Sequence, residues 1–207
     1  MSSGTTPAIR YVALGDSYTI GTAVGAADQR WPDQLVARLV AAGHALELVA
    51  NLGVNGFTSR DVIDVELPRL AELEPGLATL LIGVNDVVQG VPASTYEENV
   101  ARILDALLGQ IPSKRVVAVS TPDYTVTPQG AAYGEPATQS AAIRRNNEIL
   151  AKAAAARDIA YVDIFDLSLA AAADRTLVAD DGLHPSAAQY SRWVDRIEPV
   201  TAALLAS

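Results

Sequence analysis

Cysteine is absent from the 207 residues of this chain. Its absence excludes disulfide bonds, thiolate zinc sites and a cysteine nucleophile together, and it is compatible with a reducing compartment. Histidine is scarce as well, because only His44 and His184 occur. A reaction that uses an imidazole as its base therefore has two candidates.

Basic residues are also in the minority. The chain has 15 Lys and Arg against 24 Asp and Glu, a net charge of −9. This balance argues against binding to nucleic acid or to an anionic membrane surface, both of which attract clustered positive charge. A run of about 18 apolar residues, as a transmembrane helix needs, does not occur, so we expect no stable membrane association. Residues 1–10 lack the apolar core of a secretory signal, and we expect a cytoplasmic location.

Half of the residues are hydrophobic, which is enough for one sizeable core. Segments typical of strands and helices alternate along the chain, and such alternation predicts parallel βαβ units. We therefore predict an α/β fold, a three-layer α/β/α sandwich around a five-stranded parallel sheet, as one domain over residues 1–207 with about 1–9 as a flexible N-terminal segment. The predicted strands are Tyr11–Leu14, Ala45–Ala50, Ala78–Ile82, Arg115–Ser120 and Ile159–Asp163.

Apolar spacing and capping residues predict the helices between these strands. The longer ones run from Trp31 to Gly43, from Thr58 to about Leu73 with a bend or break near Pro68, from a cap at Ser94, from Thr138 to Arg157, and from about Ser186 to Leu205 with an interruption at Pro199. Residues 121–136 form a long connection with three prolines and two glycines. A connection of this length often faces a substrate.

A turn directly after the first predicted strand carries a candidate nucleophile, Ser17. Ligands bind at the carboxyl ends of strands in open α/β sheets, and Gly15-Asp16-Ser17 lies at such an end. Gly-Asp-Ser is also ordinary turn composition. Catalysis at Ser17 therefore requires a base, an orienting acid and oxyanion donors from elsewhere in the chain.

His184 is the better placed of the two histidines. It lies in a loop after the last predicted strand, three residues after Asp181. A carboxylate at this spacing can face the imidazole across one turn and fix its tautomer, or it can merely cap the turn, and Asp180 offers a second carboxylate. His44 lies between a helix and a strand with no catalytic residue near it, so we interpret it as a surface connector.

Candidate oxyanion donors follow the second and third predicted strands. A tetrahedral intermediate needs N–H groups aimed at its developing negative charge. Gly56 lets a backbone N–H approach a ligand, Asn85 offers a side-chain amide, and the backbone N–H of Ser17 is a third donor. Gly53 is an alternative to Gly56, and for each of these residues an ordinary loop role is the competing interpretation.

Four blocks, in order and over nearly the whole chain, resemble the GDSL or SGNH hydrolase superfamily. They are Gly15-Asp-Ser-Tyr18, Asn51-Leu-Gly-Val-Asn-Gly56, Gly83-Val-Asn-Asp86 and Asp181-Gly-Leu-His184. Tyr18 stands where the family often has leucine. The G-x-S-x-G elbow of α/β-hydrolases is absent because Thr19 lies two residues after the serine. The resemblance implies a flavodoxin-like SGNH hydrolase fold.

The resemblance also implies roles for the matching residues. Ser17 would be the nucleophile, His184 the general base and Asp181 its orienting acid, since the family spacing of three residues favours Asp181 over Asp180. The backbone N–H groups of Ser17 and Gly56 and the side chain of Asn85 would form the oxyanion hole. The polar helix start that follows it favours Gly56 over Gly53.

The implied reaction is hydrolysis of small or short-to-medium acyl esters through an acyl-enzyme, without metal or cofactor. Asp16, Tyr124 and Tyr133 are candidates for the substrate pocket. The same site suits an acyltransferase, a thioesterase or a carbohydrate deacetylase, although aromatic residues make up only 5% of the chain and offer no extended sugar-stacking surface. A non-catalytic flavodoxin-like binding module is a further alternative, but no phosphate-binding glycine motif is present. The expected partner is a small-molecule ester, and the sequence does not indicate an oligomeric state.

Overall fold

A computed structural model of the protein describes residues 7–206, and its centre is one sheet of five strands. Neighbouring strands are parallel throughout, in the order β2-β1-β3-β4-β5. The predicted five-stranded parallel sheet is thereby confirmed. The strands are β1 (Ile9–Gly15), β2 (Leu46–Asn51), β3 (Leu77–Leu81), β4 (Val116–Val119) and β5 (Ala160–Val162).

Helices connect the strands, together with shorter turns of other helical types. The α-helices between residues 7 and 206 are α1 (Ser17–Ile20), α2 (Trp31–Ala41), α3 (Ser59–Asp61), α4 (Leu70–Leu73), α5 (Val84–Val88), α6 (Ala93–Leu108), α7 (Pro136–Ala155), α8 (Phe165–Ser168) and α9 (Ala187–Leu205). One π-helical turn spans Val62–Glu66, and 3₁₀ turns span Ala27–Gln29, Leu67–Arg69, Ser113–Arg115, Tyr124–Val126, Gly130–Tyr133, Leu169–Ala172 and Arg175–Leu177.

Side chains alternate across the sheet and build two apolar layers, because successive strand residues point to opposite faces. On one face Tyr11 of β1 packs in a cluster with Trp31 of α2 and Trp193 of α9. On the other face Val12 packs in a cluster with Val100 of α6 and other buried side chains. Helices therefore cover both faces, as the predicted three-layer α/β/α sandwich requires.

Some local predictions are corrected by the structure. Ser94 does not cap α6, which begins one residue earlier at Ala93 with Pro92 at its N-cap, since the fixed φ of proline suits the start of a helix. Pro199 does not interrupt α9. It removes one intrahelical hydrogen bond, while the buried side chains of Trp193 and Ile197 keep that helix packed on the core.

The break predicted near Pro68 is confirmed, because the helical segment that follows Thr58 is divided into α3, the π-helical turn, a 3₁₀ turn at Leu67–Arg69 and α4. Of the predicted flexible segment of about residues 1–9, residues 1–6 lie outside the described part. Ile9 already belongs to β1, because its N–H donates to the carbonyl of Ala45 at 2.7 Å.

The strand order brings the candidate site residues together at the carboxyl ends of the strands. After β1 the chain adds β2 on one side and then returns to add β3 on the other, so the connections after β1 and β3 leave in opposite directions. Open α/β sheets bind ligands in the crevice at such a switch point. Ser17 directly follows β1, Gly56 follows β2 and Asn85 follows β3.

Candidate active site

Ser17 is the first residue of α1, on a tight turn after β1. Gly15 has φ +150°, and a Cβ there would lie 2.2 Å from the carbonyl oxygen of Leu81, so only glycine fits at the strand end. Asp16 caps the short helix by accepting the Tyr18 N–H at 2.9 Å. Ser17 is only 7% exposed, and what remains accessible lines a cavity.

His184 is held by Asp181 in the loop before α9. The Nδ1 atom of the imidazole lies 2.5 Å from Oδ2 of Asp181. Oδ1 of the same carboxylate accepts the backbone N–H groups of Leu183 and His184, each at 2.9 Å. Burial raises the pKa of Asp181, but these hydrogen bonds more than offset it and hold the pKa below its ordinary value. An ionised Asp181 therefore fixes the ring through Nδ1 and leaves Nε2 without this contact.

A cavity of about 220 Å³ brings the separated residues together. Ser17, Gly56, Asn85 and His184 all line it. The remaining wall is mainly apolar or aromatic and comprises Tyr18, Asn55, Val84, Val88, Tyr124, Tyr133 and Leu183. A nucleophile candidate, a histidine and polar N–H donors thus share one small, largely apolar space.

The structure separates Gly56 from its competitor Gly53. Gly53 packs on α1, where a Cβ would lie 2.7 Å from the Asp16 carbonyl oxygen, and its N–H donates to Asn51. Gly56 has φ +82°, has open space where a Cβ would stand and lines the cavity. Of the two glycines, only Gly56 presents its backbone to the cavity.

Three side chains anchor the loop that contains Gly56. Asn85 donates through Nδ2 to the Phe57 carbonyl at 2.9 Å, and Gln89 donates through Nε2 to the Gly56 carbonyl, also at 2.9 Å. Thr22 donates to the side chain of Asn55. Because the Asn85 amide carries two hydrogens, one remains for a ligand while the other holds the loop.

The predicted pocket residues divide into two groups. Tyr124 is 3% exposed and forms part of the cavity wall, and Tyr133 meets it edge-on at 5.8 Å with 43% of its surface exposed at the rim. Asp16 is fully buried and lies outside the cavity wall. Burial raises the pKa of Asp16 to about 8, although the Tyr18 N–H opposes the rise.

The structure also bears on Asp180 and His44, the other residues that the sequence analysis weighed. The exposed Asp180 makes no hydrogen bond to His184 in the described part of the chain, whereas Asp181 does. His44 lies in the connection before β2, away from the cavity residues. Across residues 7–206 no group of three or more His, Asp or Glu side chains is arranged to hold a metal ion.

Sequence reasoning missed several residues that shape the site. Val84 and Val88 are separated by one helical turn on α5, so the block that contains Asn85 also carries an apolar wall. The Tyr18 ring lies 5.6 Å from the His184 ring and is tilted by 56° to it. Gln89 had no signal in the sequence, since its partner Gly56 lies 33 residues earlier.

Comparison with known families decides the class of protein. The sequence model of the GDSL-like Lipase/Acylhydrolase family matches residues 13–192. The chain belongs to this family. As a GDSL-like lipase/acylhydrolase it is a carboxylic ester hydrolase, and the predicted family membership is confirmed. None of the curated proteins compared with it matches.

Solved structures share the fold of this GDSL hydrolase at low sequence identity. A lipase/acylhydrolase from Enterococcus faecalis has a TM-score of 0.74 and 20% identity, covering 94% of this chain and 96% of its own. TesA has a TM-score of 0.72 and 21% identity, covering 94% and 99%. A variant of Axe2, an acetyl xylan esterase from Geobacillus stearothermophilus, has a TM-score of 0.70 and 18% identity, covering 94% and 95%.

Between residues 7 and 206, none of the helices combines the length and the apolar character that crossing a bilayer demands.

Proposed function

We propose that this GDSL hydrolase cleaves carboxylic esters through an acyl-enzyme on Ser17, with His184 as general base and Asp181 as its orienting acid. The observation that carries the proposal is the shared cavity, which Ser17 and His184 both line while Oδ2 of Asp181 lies 2.5 Å from Nδ1 of the imidazole. Because Asp181 occupies Nδ1, the ring nitrogen Nε2 is available for the serine proton.

In the first half of the reaction, His184 takes the proton of the Ser17 hydroxyl as its oxygen attacks the ester carbonyl. The tetrahedral intermediate then collapses, the C–O bond to the alcohol breaks, and the alcohol leaves with the proton from His184. In the second half, water gives a proton to His184 and attacks the acyl-enzyme, which releases the carboxylic acid and restores Ser17.

The oxyanion hole is the second part of the proposal. The donors would be the backbone N–H groups of Ser17 and Gly56 and the Nδ2 amide of Asn85, and these three residues line the cavity from three different connections of the sheet. Donors fixed before the reaction begins stabilise the developing negative charge at little reorganisation cost. The contacts from Gln89 and Asn85 to the loop carbonyls supply this rigidity.

The size and lining of the cavity favour small acyl groups. At about 220 Å³ it is smaller than a common ligand pocket, for which about 300 Å³ is a lower limit. Val84, Val88 and Leu183 provide an apolar surface for a short acyl chain. We therefore propose esters of short-to-medium acids as substrates, with no cofactor, and the cytoplasmic location stays a prediction.

Deacetylation of a carbohydrate is a second candidate, favoured by the small cavity and by the acetyl xylan esterase among the structural neighbours. Both candidates share the triad and differ in the alcohol released. Acyl transfer and thioester hydrolysis stay alternatives that use the same acyl-enzyme.

A substrate panel tests the proposal. We expect p-nitrophenyl acetate and butyrate to be hydrolysed with higher kcat/KM than decanoate, and a panel of acetylated sugars and acyl thioesters to distinguish the alternatives. Ser17→Ala measured beside it should lose hydrolysis of every substrate. Full hydrolysis of the short p-nitrophenyl esters by Ser17→Ala would exclude Ser17 as nucleophile.

A further inference from the structure

Glu66 is a buried carboxyl that the proposed reaction leaves without a role. It ends the π-helical turn, and only 1% of its surface is exposed. The buried residues Val62 and Leu70 lie four positions before and after it, so it occupies a core-facing position where an apolar side chain is expected. Glutamate is almost never fully buried without a partner.

The partner of Glu66 is the backbone of the nucleophile turn. Its Oε2 accepts the N–H of Gly15 at 3.0 Å, and Gly15 lies two residues before Ser17. On the other side of the serine, Asp16 accepts the N–H of Tyr18 at 2.9 Å. Two buried carboxyl groups thus hold the N–H groups that bracket Ser17.

The charge of these carboxyl groups matters because an oxyanion forms close by. Burial raises the pKa of Glu66 to about 9; the Gly15 N–H opposes this, and the carboxyl groups of Asp16 and Asp61 add to it. Asp16, with its pKa raised to about 8, also faces Asp86 of α5. Glu66 therefore keeps its proton at neutral pH. It can hold Gly15 without placing a negative charge behind the oxyanion hole, where such a charge would oppose the intermediate.

We propose that Glu66 is a positioning residue of the esterase reaction: by accepting the Gly15 N–H, it fixes the turn that presents both the hydroxyl and the backbone N–H of Ser17 to the substrate. The inference rests on the function proposed for Ser17. Releasing Gly15 would displace the nucleophile and one oxyanion donor together. A misplacement of about 1 Å can cost about 10²-fold in rate.

Substitution at Glu66 separates this role from a general effect on folding. Glu66→Gln keeps a neutral acceptor of the same length and should retain kcat within about threefold of wild type, because an amide oxygen can accept the Gly15 N–H. Glu66→Leu has no acceptor and should lose about tenfold to 100-fold in kcat with little change in KM. Rates are expressed per active site, counted by labelling Ser17 with a fluorophosphonate. Glu72→Leu, on the exposed side of the neighbouring α4, is the matched control and should leave kcat unaltered.

Glu66→Asp provides a second test that does not depend on the stability of Glu66→Leu. Its carboxyl is one methylene shorter and does not reach Gly15, so we expect a similar loss of kcat. Wild-type kcat in both Glu66→Leu and Glu66→Asp, or an equal loss in Glu66→Gln, would overturn the positioning role. Such a result leaves the proposed function intact as long as Ser17→Ala is inactive, whereas an active Ser17→Ala refutes the function itself.

Discussion

The two halves of the candidate site are held by different kinds of contact. The Ser17 turn is fixed from far along the chain, since the Gly15 N–H donates to Glu66, 51 residues later. His184 is fixed by Asp181, three residues before it, through both its ring and its backbone N–H. The half that contains Ser17 and the oxyanion donors depends on the packed core, and we call it the core half. The half that contains Asp181 and His184 depends on a single loop, and we call it the local half.

Exposure follows the same division. Ser17 is 7% exposed and Glu66 is 1% exposed, whereas the side chain of Asp181 is 35% exposed. A loop that makes its own hydrogen bonds can stand at the surface and still orient a histidine. The turn that begins at Gly15 takes its support from the sheet and from Glu66 in the segment between α3 and α4. Substitutions in the two halves should therefore affect kcat and stability in different ways.

Asp181→Asn breaks the local half and should have the largest effect of the predictions below. The amide no longer selects the tautomer that leaves Nε2 free, so kcat should fall by about 10³–10⁴. Steady-state kinetics on a short p-nitrophenyl ester measures the loss. Asp180→Asn, one residue earlier and without a hydrogen bond to His184 in the described part of the chain, is the control and should keep wild-type kcat. A loss at Asp180 larger than that at Asp181 would reverse the assignment.

Asn85→Ala tests the donors that the core half presents to the substrate. Loss of one oxyanion donor should lower kcat by about 10²–10³ with KM little changed. The substitution also frees the Phe57 carbonyl, so the melting temperature is measured in parallel. A decrease in kcat below about threefold, in a variant as stable as the wild type, would remove Asn85 from the oxyanion hole.

Gln89→Ala removes a hydrogen bond at the surface of the core half and should have a smaller effect on kcat than Asn85→Ala. Gln89 contacts the Gly56 carbonyl and does not line the cavity. The loss of one exposed hydrogen bond corresponds to about 1 kcal/mol, so kcat should fall by about fivefold if that bond stabilises the loop equally in the transition state. Kinetics of Gln89→Glu should show a similar decrease, since a carboxylate has no hydrogen to donate. Wild-type kcat in both variants would show that the loop holds Gly56 without this contact.

The local half of the site could be predicted from the sequence, and the geometry agrees with it. The spacing of Asp181 and His184 already determines that one turn can pair them. In the core half, the glycine after β2 and the asparagine after β3 follow from the rule on strand ends. The parallel sheet and its two helix layers were predicted correctly for the same reason, because alternating apolar segments are a local pattern. The roles of these residues stay predictions.

The core half could be predicted only in part. Nothing near Gly15 in the sequence points to Glu66, and a glutamate in a helix is ordinarily interpreted as exposed. Its spacing of four from Val62 and Leu70 was the one available signal. Asp16 was expected in the pocket, but its side chain caps α1 and is buried. The Asp16 cap is a local contact, whereas the contact between Glu66 and Gly15 depends on packing between distant segments.

The stability of the wild type relative to Glu66→Gln should change with pH in a way that reports the buried proton of Glu66. The folded chain keeps this proton up to a pKa of about 9, whereas the unfolded chain releases it near the ordinary value of 4.5. The stability contribution is therefore complete below pH 4.5 and declines as the pH rises towards 9. Its slope is at most about 1.4 kcal/mol per pH unit.

Glu66→Gln has no such proton, so its melting temperature should rise relative to wild type between pH 5 and pH 8, by about 2–4 °C for each kcal/mol. Thermal unfolding at several pH values measures the difference. Asp16 titrates in the same direction in both proteins, and its charge adds to the pKa of Glu66 only in the wild type, which enlarges the difference. Parallel melting curves across this range would mean that Glu66 is ionised in the folded protein.

The acyl-enzyme on Ser17 is the central claim, and covalent labelling tests it most directly. Folded protein is treated with a fluorophosphonate and analysed by intact and peptide mass spectrometry. We expect one adduct per chain on the peptide that contains Ser17, complete loss of ester hydrolysis in step with labelling, and no adduct in Ser17→Ala. Labelling of a different residue, or full hydrolysis by the labelled protein, would contradict the account.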